Sequence, residues 1–352
     1  IADADIHRSY MEKVVCEAAW KKEMFSPGYL VDSIYIGGGT PSILQPALIE
    51  ELLDALYATC DVADDAEITI EVNPGAANAD LFAAYRANGV NRVSIGAQSF
   101  NADMLAFLGR IHSRENALAC YADARNAGFE DVNLDLIFGI PGQDLAMWER
   151  DLRTAVNLGP THLSFYSLQI EEDTPLYADF MNGRIQEPDE IEDRRMYHLA
   201  KEYTEGLGYL HYEISNCAKP GRESRHNLKY WSMDDYIGLG LAAHSYMRGH
   251  RLSNTSSLPE YLTAAGTPEM VDWMHKSTTS EEMSEYIFLG LRRTAGIDLA
   301  RFRASFGKDF WELYGEETAG LIRRGLLEHS GDVLRLTALG LDLANNVFRE
   351  YI

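Results

Sequence analysis

Short runs that alternate apolar and polar residues are interleaved with longer segments of helical period through the first half of the chain. Strand patterns fall at residues 33–37, 67–72, 92–96, 132–137 and 162–167, and helical patterns at 45–60, 78–88, 113–128 and 145–158. A strand that returns about every 30 residues after a single helix marks parallel βα units, so the spacing predicts an α/β fold, either a barrel or an open doubly wound sheet. Period two then separates the faces of each strand. Ile68, Ile70 and Val72 share one face, with Thr69 and Glu71 on the other; Val93 and Ile95 oppose Ser94, Gly96 and Gln98; Val132, Leu134 and Leu136 oppose Asn133, Asp135 and Ile137. An ordinary barrel fills its interior with Val, Ile and Leu. Here the apolar faces suit covering helices, which sends Glu71, Gln98 and Asp135 inward. A buried carboxylate is costly unless a ligand, a cation or hydrogen bonds compensate it, so the pattern predicts a ligand-holding interior. The bland alternative is the solvated face of an open sheet, which is disfavoured because parallel sheets are normally covered on both faces.

The first of these strands runs directly into Gly37, Gly38, Gly39, Thr40, Pro41 and Ser42. Glycines at a strand's carboxyl end leave backbone amides open to a close polar ligand. A phosphate loop is the rival reading, but the Lys-Ser/Thr of a P-loop is missing and no GxGxxG follows the strand.

Beyond residue 277 the pattern becomes helical, at 280–293, 299–306, 310–324 and 340–351, with a short hairpin at 326–328 and 333–336 around Ser330, Gly331 and Asp332. This predicts a small winged-helix-like C-terminal domain behind a linker at 267–280. The expected division is 1–215, 216–276 and 277–352.

Composition narrows the partners. The 352 residues include 31 Lys and Arg against 54 Asp and Glu, a net charge of −23, so phosphate backbones and anionic lipid surfaces are repelled and no nucleic-acid partner is expected. Neither a membrane span nor a signal peptide is readable, which sets a cytoplasmic expectation and leaves peripheral membrane docking open. Cys16, Cys60, Cys120 and Cys217 stand far apart and form no CxxC motif, as expected for reduced thiols that pack as small hydrophobes.

The segments GGGTPS at 37–42, EVNP at 71–74, SIGAQSF at 94–100, GRIHS at 109–113 and NLDLIFGIPGQ at 133–143 together resemble the radical S-adenosylmethionine enzymes related to oxygen-independent coproporphyrinogen III dehydrogenase. The resemblance covers essentially the whole chain. It implies a partial (β/α)6 TIM-type barrel with S-adenosylmethionine lying across the carboxyl ends of the strands. By position, it implies that Gly38, Gly39 and Thr40 meet the methionine end of that cofactor and that Glu71, Gln98, Arg110 and Asp135 make its other contacts. Such chemistry is sound: backbone groups satisfy an α-amino acid, carboxylates accept ribose hydroxyls or balance a sulfonium, and an arginine grips a carboxylate. The family pattern also has a first strand and a CxxxCxxC loop whose thiolates hold a [4Fe-4S] cluster, and no such motif occurs in the 352 residues. The resemblance therefore implies that this strand and the cluster ligands lie upstream of Ile1, within about 30 residues, the length of one βα unit. A naturally cluster-less relative is the alternative.

The segment His226-Asn227-Leu228-Lys229-Tyr230-Trp231 resembles the HNxxYW signature of the heme-chaperone branch of this family. It implies heme held near His226, with the imidazole as an axial iron ligand and Tyr230 and Trp231 as apolar faces for the macrocycle. His244, in a glycine-rich loop at 238–245, ranks second. In that loop Leu241 and Ala242 stand where the family more often has Pro-Gly or Cys-Gly, so less backbone freedom is expected. The plain alternative for His226 is a hydrogen-bonded structural element beside an aromatic pair. The resulting expectation is a heme chaperone that passes heme to recipient hemoproteins such as respiratory enzymes, with no catalytic residue assigned. A coproporphyrinogen III dehydrogenase and a cluster-less binding protein are the open alternatives.

Overall fold

The computed structural model describes residues 4–25, 28–186 and 188–352; Ile1, upstream of which the cluster loop is expected, lies outside them. Seven strands, β1 (Leu30–Ile36), β2 (Asp61–Val72), β3 (Arg92–Gln98), β4 (Asp131–Phe138), β5 (His162–Ser167), β6 (Leu210–Glu213) and β7 (Asn216–Ala218), form one sheet in the order β1-β2-β3-β4-β5-β7-β6. From β2 to β5 neighbouring strands are parallel, as the βα spacing requires. All five expected strands are present. Strand β2 starts at Asp61 rather than at 67 because its first half, DVADDA, is largely solvent-facing and too acidic to show an apolar alternation. The count of five is corrected to seven: β7 pairs antiparallel with β5 and β6 antiparallel with β7, and at three and four residues they are too short to register as a pattern.

The chain divides into two compact units, one of Tyr35–Ile43 and Ile68–Glu223, the other of Ile1–Ile34, Leu44–Glu67 and Ser224–Ile352. In the first, the apolar strand faces form the core. Ile68, Ile70, Val72, Val93, Ile95, Val132, Leu134 and Leu136 are all buried, each contributing about 2 kcal/mol of apolar burial. Helices Ala79–Ala87, Arg114–Asn126 and Leu145–Asn157 start where Asn78, Ser113 and Asp144 cap the first free amides. Their rings complete the core, with Phe82 edge-on to Phe129 at 6.1 Å and Trp148 tilted on Phe138 at 5.4 Å.

In the second unit the helix Ala4–Phe25 lays Met11, Val14 and Ala18 against Leu48, Leu52 and Leu56 of Pro46–Thr59, together with Tyr261, Ala265 and Met270. The same helix carries a fully buried ion pair, Lys21 Nζ to Glu17 Oε1 at 2.8 Å. Lys21 also donates to the carbonyl of Gly238 at 2.7 Å and to Asn254 Oδ1 at 3.0 Å. Glu17 accepts from the Gly240 amide at 2.8 Å, from Asn254 Nδ2 at 2.6 Å and from the Tyr261 hydroxyl. Loop 238–245 is thus held by a charge pair from the first helix. Burial lowers the Lys21 pKa, and Glu17 opposes that shift.

Strands β8 (His244–Met247), β9 (His250–Asn254) and β10 (Val271–Lys276) make an antiparallel sheet that periodicity did not reveal. Residues 271–276, expected to be linker, pair with β9 through a bulge between Val271 and Trp273. At the C-terminal end, β11 (Ile297–Asp298), β12 (Leu327–Ser330) and β13 (Val333–Leu336) form a small sheet beside helices Thr279–Gly290, Leu299–Phe306 and Phe310–Arg323. The last expected helix, 340–351, is broken at Leu343 into Ala338–Asp342, Ala344–Phe348 and a 3-10 turn.

Ala242 has φ +55°, so the glycine-rich loop does hold a side chain in the left-handed region. That conformation costs an L-residue roughly 1–2 kcal/mol, partly offset by the lower entropy of alanine in the unfolded chain. Ala242→Gly is expected to stabilise the protein by about 1 kcal/mol, read as a raised midpoint of thermal unfolding; a lowered midpoint contradicts this account.

Candidate functional site

The glycine run and EVNP meet at the carboxyl ends of β1 and β2. The Gly38 amide donates to Glu71 Oε2 at 3.2 Å, and the Tyr35 hydroxyl donates to Glu71 Oε1 at 2.9 Å. The Asn73 amide donates to Ser42 Oγ at 3.1 Å, tying the far end of the glycine loop to the same strand end. Gly37 has to lack a Cβ, since one would sit 2.7 Å from both the Glu71 carboxyl carbon and Tyr35 Cε1, while Gly39 faces open space. Gly38, at φ +82°, turns the loop, and Thr40 is half-buried with its carbonyl accepting the Ile43 amide at 3.1 Å.

Asp135 lies on the polar face of β4 as the alternation predicts. It accepts from Ser94 Oγ at 3.0 Å and from Asn133 Nδ2 at 2.8 Å. Asn133 Oδ1 engages His162 Nδ1 at 2.7 Å, and His162 Nε2 meets the Tyr212 hydroxyl at 2.7 Å. Desolvation raises the pKa of both Asp135 and Glu71, and for Glu71 the nearby Asp135 charge adds to it. Burial likewise holds His162 neutral, well below the usual imidazole range, with the Arg92 cation pushing the same way. Two carboxylates disfavoured as anions form a site that gains from a positively charged ligand.

Gln98 sits past a break in the β3–β4 register with φ +62°, strain of the kind that re-aims a side chain at a strand end. The turn after it is anchored from behind: the buried Asp151 carboxylate accepts from Ser99 Oγ and, at 3.0 Å, from the Phe100 amide. His112 Nε2 contacts the Ala97 carbonyl at 3.1 Å. Arg110, by contrast, is exposed, and its side chain makes no hydrogen bond to a described residue. The structure therefore joins Gly38 to Glu71 and sets Asp135 in a second hydrogen-bonded cluster whose charge reaches Glu71, with Gln98 at the end of β3, Thr40 in the loop after β1 and Arg110 outside both clusters. Tyr35, Arg92 and His162 were missed. Arg92 was within reach, because it shares the parity of Ser94 and Gln98 that already marked the inward face of β3; it is buried.

His226 lies in the first turn of the helix Arg225–Ser232. The Glu67 carboxylate, from β2, accepts the amides of Arg225 at 3.0 Å and His226 at 3.1 Å, so an acidic side chain caps the positive end of the helix. Lys229 pairs with Asp32 of β1 at 2.8 Å. Between these two ties the imidazole is engaged on both sides, Nδ1 with Ser33 Oγ at 3.0 Å and Nε2 with the Tyr230 hydroxyl at 2.8 Å. Tyr230 stands edge-on to Tyr236 at 4.8 Å. Trp231 is not brought to His226: five residues on, it lies on another side of the helix, with the Arg292 guanidinium over its ring at 4.5 Å. His244 is exposed at the start of β8, where its backbone packs so close to Gly238 that a Cβ there would overlap it.

The residues present fit the amino-acid end and the charge of S-adenosylmethionine, since Gly39 leaves open space beside the backbone and the Glu71 and Asp135 carboxylates lie within electrostatic reach of each other. They do not fit an iron–sulfur cluster. Cys120 and Cys217 are buried, with thiol pKa values pushed up to about 12, and among the described residues no group of three His, Cys, Asp or Glu could hold a metal ion. No described helix is long and apolar enough to cross a membrane.

Residues 18–155 match the Radical SAM superfamily and residues 278–343 the HemN C-terminal domain. The solved structure of coproporphyrinogen III oxidase (HemN) from Escherichia coli superposes with a TM-score of 0.85 over 100% of this chain and 85% of its own, at 23% identity, which shows a common fold: a curled partial barrel with a helical C-terminal domain. Heme chaperone HemW of Bacillus subtilis is 36% identical over 324 residues, 91% of this chain and 85% of its own length. The HemW of Lactococcus lactis is 35% identical over 320 residues, covering 91% of this chain and 84% of its own. Shared sequence over nine tenths of the chain, on a shared fold, is more than a common scaffold requires, and the chain belongs to the HemW heme chaperone family of the radical SAM superfamily.

Proposed function

We propose that the protein binds heme through His226 and passes it to recipient hemoproteins, on a scaffold that takes S-adenosylmethionine at the strand ends holding Gly38, Gly39, Thr40, Glu71, Gln98 and Asp135. The observation that carries this reading is the His226 imidazole, fixed by Ser33 and Tyr230 on a helix that Glu67 and Asp32 hold in place. With Nδ1 tied to the Ser33 hydroxyl, Nε2 is the nitrogen that could ligate heme iron once the Tyr230 hydroxyl gives way. Tyr230 and Tyr236 supply aromatic surface beside it. In S-adenosylmethionine binding, Glu71 and Asp135 would balance the sulfonium and ammonium charges, while the glycine backbone admits the methionine end closely; the family's cluster, when bound, supplies reductive chemistry. Arg110 joins this set only through a side-chain movement that brings its guanidinium inward.

The test is hemin binding by the full chain, followed by absorbance. His226→Ala is expected to weaken binding at least tenfold while the fold is kept, since the imidazole is only half-buried. Unchanged hemin affinity in His226→Ala removes the reading.

A further inference from the structure

His226 has two hydroxyl neighbours, and their chemistry differs. A phenol is the stronger acid, so the Tyr230 O–H is the better donor, and the imidazole that suits both partners accepts from Tyr230 at Nε2 and donates from Nδ1–H to Ser33 Oγ. That tautomer is the one an iron ligand requires, because it keeps the lone pair on Nε2. The contacts do more than pin the helix to the sheet. Pinning is already supplied at 3.0 Å and 3.1 Å by Glu67 on the helix amides and at 2.8 Å by Lys229 with Asp32.

Building on the heme reading above, we infer that Ser33 is the residue that positions His226 for iron, by fixing its tautomer and ring angle, and that the Tyr230 hydroxyl is a displaceable cap on Nε2. When heme arrives, the Tyr230 O–H···Nε2 hydrogen bond breaks and the Fe–Nε2 bond forms; the phenol keeps its proton and turns away. No electron or proton leaves the pair. Release to a recipient reverses the step, the phenol re-forming its bond as the iron departs, so the cap lowers the affinity of a carrier that has to give up its cargo. Tyr230 stands at i+4 from His226, on the same helical face, and its ring rests edge-on against Tyr236, so clearing Nε2 for iron means swinging the whole phenol ring off that neighbour.

Hemin titration of the full chain under anaerobic conditions tests both roles. Ser33→Ala is expected to bind hemin about 10–100-fold more weakly and to shift the Soret band, as loss of an orienting partner does, and Ser33→Thr to restore both. Tyr230→Phe keeps the ring and deletes the competing hydrogen bond, so it is expected to bind hemin about two- to tenfold more tightly and to release it more slowly to apomyoglobin. Wild-type affinity and spectrum in Ser33→Ala, or unchanged affinity and release in Tyr230→Phe, overturns the inference while His226→Ala still loses heme. Should His226→Ala bind hemin normally, the heme reading falls and this inference with it. Tyr230→Phe is isosteric, which keeps the test decisive if Ser33→Ala folds poorly.

Discussion

Replacing Lys21 by Met is expected to cost about 3–5 kcal/mol and to lower the midpoint of thermal unfolding by roughly 10 °C, because it strands the Glu17 carboxylate in a fully buried site. Methionine fills the volume of the lysine stem, so packing is nearly conserved and the loss is electrostatic. Removal of the ammonium also leaves the Gly238 carbonyl and Asn254 Oδ1 without their donor at 2.7 Å and 3.0 Å. Glu17 keeps the Gly240 amide, Asn254 and Tyr261, but three donors do not replace a cation for a fully buried carboxylate. Glu17→Gln retains an oxygen for the Gly240 amide and should cost less. In a double-mutant cycle the Glu17→Gln/Lys21→Met pair is expected to cost less than the sum of the singles by more than 1 kcal/mol, the amide being neutral where the carboxylate is stranded. A Lys21→Met protein within about 1 kcal/mol of wild type, or strictly additive singles, would show that the pair contributes little.

Gly37→Ala is expected to weaken S-adenosylmethionine binding about a hundredfold with little loss of stability. The added Cβ would fall 2.7 Å from Glu71 Cδ and Oε1 and from Tyr35 Cε1, so both side chains have to move and the 2.9 Å bond between them is strained or lost. A displacement of about 1 Å in a positioned group commonly costs on this scale. Gly39→Ala discriminates the protein's own geometry from the ligand's. Nothing lies within 4 Å of a Cβ built there, so an affinity lost in this variant reports the ligand's closeness to the backbone rather than a clash within the chain. Calorimetric titration with S-adenosylmethionine measures both. Wild-type affinity in Gly37→Ala and Gly39→Ala together would sink the placement of the cofactor on the glycine run.

Strand parity made the polar face of this fold readable. Ser94, Asn133 and Asp135 were assigned inward by period two alone, and they form one hydrogen-bonded network. The same rule reaches Arg92, whose burial it did not anticipate because arginine on a strand end is ordinarily solvated. Glu17 and Lys21 were illegible for a different reason. An i,i+4 acid–base pair on an amphipathic helix looks identical whether it faces water or a loop more than 200 residues away, and only tertiary structure decides. Ser33 was read as one more strand residue, since its role depends on a histidine 193 positions downstream. His226 and Tyr230 are linked in the sequence only through the HNxxYW resemblance, and their i,i+4 spacing on one helix brings the imidazole and the phenol together. Trp231, adjacent in sequence, points elsewhere because consecutive helical residues diverge by about 100°. Strands β6 to β10 stayed hidden because short antiparallel pairings are set by their partners more than by their own pattern.

The way the two units are cut from the chain has a consequence for synthesis. One unit takes two segments, Tyr35–Ile43 and Ile68–Glu223, whereas the other draws on three, Ile1–Ile34, Leu44–Glu67 and Ser224–Ile352. Lys21 emerges from the ribosome 233 residues before Asn254, a wait of roughly 10–50 s at ordinary elongation rates. Throughout that interval Met11, Val14 and Ala18 have only part of their eventual cover, so the nascent helix Ala4–Phe25 is a segment for which holding factors would compete, and slowing translation should lower the soluble yield before it alters the finished protein.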